Sequence, residues 1–153
     1  MVVRMADAGS RVVTLDGQER ILDGQDLMIC NKNEPMCIGG VFGGLGSGIT
    51  EKPTSLFLES AWFHPAFIRR TSKRHGLKTD ASFRFERGAD PDATVYALKR
   101  AVLLMQEICG ACVEGGIADL YPRPVKPARI VLNYDRMFSL MGKDIGKGSV
   151  DVI

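Results

Sequence analysis

Asp16-Gly17 constrains the fold more than any other pair of residues in the chain. It lies between Val12-Val13-Thr14-Leu15 and the run from Glu19 to Leu22. A dipeptide of this kind between two short apolar stretches supplies the positive φ angles of a tight hairpin turn. A hairpin is therefore predicted here. A second apolar run follows at Asp26 to Cys30, is broken by Asn31-Lys32-Asn33-Glu34-Pro35, and resumes at Met36 to Phe42 as a strand containing glycines. The first 42 residues thus read as a strand meander.

The remainder alternates differently. After the glycine-rich Gly43–Gly48, Ser55 to Ser60 is predicted as a strand ending in Glu59. His64-Pro65 opens a helix, since proline suits a first helical turn, and this helix runs to about Arg74 and stops near Gly76. Asp90-Pro91-Asp92 is a strong helix start, combining an N-cap, a proline and a first-turn acid. Val95, Leu98, Val102 and Met105 then recur at helical spacing until Gly110. Val113 to Leu120 is predicted as a strand, Tyr121 to Pro127 as a proline-rich linker, Arg129 to Asn133 as a strand and Tyr134 to Met141 as a short helix. A further helix is expected near the end, with Ser149 as its N-cap.

Composition narrows the function classes. The chain has 153 residues, 45% of them hydrophobic, enough for a packed core. A net charge of +2 means that any nucleic-acid contact must come from a local patch. No apolar run approaches the roughly 18–20 residues that span a bilayer. The four cysteines fit free thiols in a reducing compartment. Cys109-Gly-Ala-Cys112 has metal or redox spacing, but Cys30 and Cys37 do not complete a four-ligand set and no paired histidines exist.

Several features bear on chemistry. The Gly43–Gly48 loop lacks the Gly-Lys-Ser/Thr and the following helix that a phosphate loop needs. It is either a tight turn or a place where backbone N–H groups around Gly43 and Gly44 are bared to a ligand. Glu59 is either at a solvent edge or facing a pocket, where its carboxylate would accept a strong hydrogen bond from a hydroxyl. Arg69, Arg70, Lys73 and Arg74 lie in a stretch without acids between Ser60 and Thr79. They form either a solvated helix face or a phosphate-contacting patch. His64 and His75 have no evident nucleophile partner, so no triad is built from them. The stretch from His75 to Pro91, "HGLKTDASFRFERGADP", reads as an ordered loop between two helices. Its Thr79-Asp80-Ala81-Ser82 run suits the wall of a small-molecule pocket.

"GGVFGG", then "LFLESAWFHP", then "KRHGLKTDASFRFERGADP", in this order and spacing, resembles the beta subunit of bacterial phenylalanyl-tRNA synthetase. The likeness covers nearly the whole chain. It implies an α+β or α/β fold: a mixed β-sheet with flanking helices of the editing-domain type, plus a truncated second domain. The implied organisation is an editing-like domain over 1–120, a linker over 121–128 and the start of a winged-helix-like domain over 129–153. The family joins phenylalanine to its tRNA with ATP and Mg2+ in a heterotetramer with an alpha subunit, in the cytoplasm and away from any membrane. Its beta subunit hydrolyses tyrosine wrongly attached to tRNA(Phe).

Carried onto this sequence, the family's editing pocket falls on Gly43, Glu59, Thr79 and Ala81. Glu59 and the backbone near Gly43 would recognise the tyrosine hydroxyl, while Thr79 and Ala81 would shape the pocket around the ring and the ester. No catalytic residue or metal ligand is assigned. Arg69, Arg70, Lys73 and Arg74 would meet tRNA phosphates. One departure stands out: the family's editing domain begins before Met1, and a pocket histidine lies in that earlier part, at a position that neither His64 nor His75 fits. Two rival readings remain. One is a non-catalytic segment that positions tRNA or serves assembly. The other is a free-standing editing-like domain.

Overall fold

The computed structural model describes residues 1–152. The chain divides into two compact units, Met1–Asp119 and a second from Leu120 onward. The architecture is α+β. In the first unit, strands β1 (Val2–Met5), β4 (Leu27–Cys30), β5 (Pro35–Ile38) and β6 (Phe42–Gly43) form one sheet in the order β1-β4-β5-β6. Strands β2 (Arg11–Val13) and β3 (Glu19–Ile21) form a second, two-stranded sheet. The pairings of these strands are all antiparallel. Helices α1 (Pro65–His75), α2 (Asp80–Phe85) and α3 (Thr94–Cys109) complete the unit.

The expected hairpin forms around Asp16-Gly17. Gly17 takes a φ of 76°, and Thr14 Oγ1 donates to Asp16 Oδ1 at 2.5 Å. The β4 strand is apolar throughout, and Met28, Ile29 and Cys30 are buried in succession. Both faces of that strand are therefore covered. Its side chains join Val12, Leu22, Ile38 and Val41 with Phe63, Ile68 and Leu77 in one core.

The Met36–Phe42 run is not a single strand but two, with a turn at Gly39-Gly40. Gly40 adopts a φ of 67°, and a Cβ there would lie 2.8 Å from Phe63 and 2.9 Å from Ile68. The residue therefore answers two demands that only glycine meets, a left-handed backbone and close approach of the core. Helix α1 begins and ends as expected, capped by His64 and closed by Gly76 at φ 65°. Helix α3 follows a 3-10 turn (Pro91–Ala93) capped by Asp90 and ends at Gly110.

Three predicted strands are absent. Ser55–Ser60 runs without ladder pairing and is held instead by side chains, with Ser60 Oγ donating to Thr94 O at 2.8 Å. Trp62 Nε1 anchors the residues just after it, donating to Ala89 O at 2.9 Å. Val113–Leu120 and Arg129–Asn133 are exposed and pair with no described strand. Conversely, part of the expected loop between two helices is itself a helix, α2. Thr79 accepts from Ser82 N–H while Ser82 Oγ accepts from Thr79 N–H, a reciprocal capping box. In the second unit, α4 (Tyr134–Met141) forms as expected, capped by Asn133. The last helix, α5 (Lys147–Val150), has Gly146 at its N-cap, so Ser149 lies inside the helix rather than at its start.

One buried charge joins the first sheet to α1. Asp26 is 0% exposed. Its carboxylate accepts from Thr71 Oγ1 at 2.8 Å, from Asp23 N–H at 2.9 Å and from Arg74 Nη1, and it meets His75 Nε2 at 2.7 Å. Burial by itself would raise the Asp26 pKa. The bonds from Asp23 N–H, His75 and Thr71 outweigh it and hold the carboxyl below its ordinary value. Such a group stabilises the fold fully above the unfolded carboxylate pKa of about 3.9, and the contribution is lost as pH falls through the folded value. Asp26→Ala is expected to cost about 3–5 kcal/mol in urea unfolding near pH 7, because it leaves buried partners unpaired. Asp26→Asn should flatten the loss of stability that sets in as pH falls below the unfolded carboxylate pKa of about 3.9. An unchanged urea midpoint in Asp26→Ala would contradict this role.

Candidate functional site

A cavity of about 370 Å³ opens between the β5–β6 turn and the start of α2. Cys37, Ile38, Gly40, Val41, Phe42 and Gly43 line one side, and Thr79, Asp80 and Ala81 line the other. The two walls are bonded together, since Thr79 Oγ1 donates to Val41 O at 2.6 Å. The same hydroxyl accepts from Ser82 N–H at 3.1 Å, so it both caps α2 and fixes the helix to the turn. With its hydroxyl engaged twice, Thr79 acts on the cavity by shaping it. Ala81 follows on the first turn of α2, where its small side chain leaves room.

Three of the four expected pocket residues, Gly43, Thr79 and Ala81, therefore share one cavity. Gly43 pairs with Cys37 across the β5–β6 ladder. Its backbone oxygen accepts from Leu15 N–H at 3.0 Å. A Cβ at Gly43 would press on Leu15, 2.7 Å from its Cδ1. Gly44 does not offer its N–H to a ligand, because that group donates to Met36 O at 2.9 Å. A Cβ at Gly44 would collide with the same carbonyl. The glycines here admit backbone and Leu15 first.

Glu59 is not among the lining residues and is exposed. Its carboxylate is nevertheless partly desolvated, which raises its pKa. Its charge also reaches Cys37, whose thiol is pushed up to about 11, first by burial and then by Glu59. Glu59 thus lies outside the lining of the cavity, with its charge felt at Cys37. Asp80 lies in the Thr79–Ser82 run expected as a pocket wall, but nothing in the sequence marks Cys37 or Val41 as pocket residues. The signal for them is tertiary, arising where a hairpin turn meets a helix start.

The basic face of α1 is largely occupied within the protein. Arg74 pairs with Asp26 and with Asp23 at 3.5 Å. Arg69 Nη2 donates to Glu86 O at 2.8 Å. Arg70 Nε donates to Ala66 O at 3.2 Å, and its guanidinium lies over Phe67. Lys73 is exposed. His64 caps α1 and His75 bonds Asp26, so both histidines have structural partners. Among the described residues, no cluster of three His, Cys, Asp or Glu could hold a metal ion. All four cysteines are free, and Cys109 and Cys112 are exposed.

Comparison with known proteins matches residues 1–110 to the B3/4 domain. The chain is 51% identical over 145 residues to a phenylalanine–tRNA ligase beta subunit of Bacteroides fragilis, covering 95% of this chain and 18% of that protein. It is 53% identical over 144 residues to the beta subunit of Porphyromonas gingivalis, covering 94% of this chain and 18% of that protein. It is 42% identical over 153 residues to that of Protochlamydia amoebophila, covering 100% of this chain and 19% of that protein. The chain therefore spans about a fifth of the length of the curated relatives it matches.

The Cys37 environment can be tested by alkylation. A thiol moved from 9.0 to about 11 carries about 100-fold less thiolate at neutral pH. Iodoacetamide should label the exposed Cys109 and Cys112 well before Cys37, as read by peptide mass spectrometry. Equal labelling rates would show that Cys37 is not enclosed in this way.

Proposed function

The chain belongs to the B3/4 domain family, and we propose that it serves as the editing segment of a phenylalanine–tRNA ligase beta subunit. In this reading it takes in tyrosine that has been wrongly esterified to tRNA(Phe) and promotes hydrolysis of the ester. The observation that carries the reading is the shared cavity. Gly43, Thr79 and Ala81, carried over from the family's editing pocket, all line it, while Glu59 lies outside the lining with its charge felt at Cys37. The relatives' names support the setting in translation. ATP, Mg2+, the alpha subunit and the ligation reaction belong, on this proposal, to the whole synthetase in the cytoplasm.

The chemistry follows from the specificity problem. A pocket shaped for phenylalanine rejects an analogue with an added hydroxyl only weakly, so a second site must recognise that hydroxyl. Glu59 is suited to accept from it, because a carboxylate partly removed from water gains from a phenolic donor. A phenylalanine side chain would leave the acceptor unpaired, which costs about 1–3 kcal/mol, or about 5- to 150-fold in discrimination. Thr79 and Ala81 hold the ring, and Cys37 offers a soft, uncharged surface to it. An aminoacyl ester is already activated, so orienting a water beside it suffices without a nucleophilic residue. Glu59 is accordingly a recognition residue, and no general base is assigned.

The rival reading, a segment that only positions tRNA or supports assembly, relies on the basic helix. Its cations are mostly committed to internal partners, with Lys73 the most available for phosphates. That observation favours the cavity over the helix as the working feature.

The decisive assay supplies this chain with tRNA(Phe) carrying tyrosine or phenylalanine and follows ester hydrolysis. Wild type should prefer the tyrosyl ester. Glu59→Ala should reduce that preference by about 5- to 150-fold while leaving the residual hydrolysis of both esters similar. Equal loss on both esters would reassign Glu59 to the chemical step. Salt-dependent tRNA binding without any amino-acid preference would favour the positioning segment.

A further inference from the structure

The outer face of α2 carries a second feature that the cavity does not use. Ser82 is buried and Phe85 packs edge-on against Phe63, with centroids 4.9 Å apart, so these residues form the inward side of the helix. Phe83 points the other way and is 56% exposed, a large aromatic left in water. The Arg87 guanidinium lies 3.5 Å from the Phe83 ring centroid. Its Nη1 donates to Phe83 O at 2.9 Å and pairs with Glu86 Oε1 at 2.9 Å, which fixes the planar group in place. Exposed Arg84 and Lys78 flank the pair.

Helix geometry links this feature to the cavity. Asp80 and Ala81 are cavity residues. Phe83 is three residues beyond Asp80, and Arg84 is three beyond Ala81. Side chains at this spacing are surface neighbours with Cβ atoms about 5–6 Å apart. An aromatic and a held guanidinium therefore lie one helical turn from the cavity wall. On the editing reading, the cavity takes the amino-acid end of an aminoacylated RNA and the attached nucleotides stay outside it. Unpaired nucleotides stack on aromatic rings and on arginine planes, while nearby cations meet their phosphates. Between Lys78 and Arg87 the basic residues Lys78, Arg84 and Arg87 outnumber the acids Asp80 and Glu86, so the charge suits an RNA strand.

We propose that Phe83, backed by Arg87 and flanked by Arg84, is the stacking platform for the unpaired 3′ end of an aminoacylated RNA whose amino acid enters the adjacent cavity. This assignment rests on the editing reading above and adds to it a contact surface for the nucleic acid.

The test is fluorescence anisotropy of this chain with a labelled single-stranded RNA octamer ending in adenosine, at one fixed low salt concentration, alongside a duplex of the same sequence. Phe83→Ala should weaken octamer binding by about 5- to 150-fold, the range for losing one stacked base. Phe83→Trp should retain binding. Arg87→Lys, which keeps the charge but loses the plane, should weaken it several-fold. Urea midpoints of Phe83→Ala and wild type should agree, because the ring is exposed. Octamer binding unchanged in Phe83→Ala, a duplex that binds as well as the octamer, no RNA binding, or preference for an acidic peptide over the octamer would each overturn the proposal. A parallel titration with free tyrosine separates the two claims. Tyrosine binding that persists while RNA ignores Phe83 removes the platform and leaves the editing reading. RNA binding through Phe83 without tyrosine binding removes the editing reading, and with it the assignment to an aminoacylated end.

Discussion

The Asp26 carboxylate is the interaction on which the arrangement of the first unit turns. A carboxylate with no exposure to water costs several kcal/mol to bury unless its oxygens are met by donors. The donors come from both sides of the structure, from Asp23 N–H beside it and from Thr71, Arg74 and His75 on α1. Net stabilisation from such a network is modest, since the hydrogen bonds largely offset the desolvation. Its geometric effect is not. Three attachments, at Thr71, Arg74 and His75, spread over about one turn of helix, leave α1 a single rotation and a single height against the sheet. Arg20 adds a second attachment by donating to His75 O at 2.9 Å, where a cation also suits a helix C-terminus.

The α2 wall of the cavity hangs from that helix. Gly76 ends α1, and Leu77 is buried directly after it, with its carbonyl accepting from Ser72 at 2.5 Å. Two residues later Thr79 reaches Val41 O and starts α2. The cavity wall is thus placed by a short chain of contacts running from Asp26 through α1 to Thr79. On the opposite wall, Gly40 lets the β5–β6 turn sit against Phe63 and Ile68, and Ile68 is itself a residue of α1. Both walls are referenced to the same helix. A loss of the Asp26 bonds would therefore disturb the distance between the walls as well as the stability of the unit.

Local chemistry was legible in the sequence where short-range rules decide the outcome. The Asp16-Gly17 hairpin, the His64 to Gly76 helix and the Asp90-Pro91 start all depend on residues within a few positions of one another. The failures have the opposite character. Ser55–Ser60 has the apolar content of a strand, but a strand needs a neighbour, and here the segment is secured by Ser60 contacting Thr94, 34 residues away. Helix α2 was missed because its capping box has serine where glutamate or glutamine is the usual signature. The Asp26 network joins residues 45 to 49 positions apart, and no pattern within either segment announces it. The candidate site divides the same way. The resemblance to the beta subunit named Gly43, Thr79 and Ala81, which share the cavity, and Glu59, which is not among its lining residues. Cys37 and Val41 emerged only once β5 and β6 were paired.

The account rests on a single claim, that the cavity between the β5–β6 turn and α2 distinguishes a phenol from a phenyl ring. Amide-resolved NMR titration of this chain with tyrosine, and separately with phenylalanine, addresses that claim without needing turnover. The account predicts that tyrosine shifts the amides of Cys37, Gly43, Glu59, Thr79 and Ala81, and that phenylalanine moves them less or not at all. Shifts of equal size and position with both amino acids, or none with either, would contradict it.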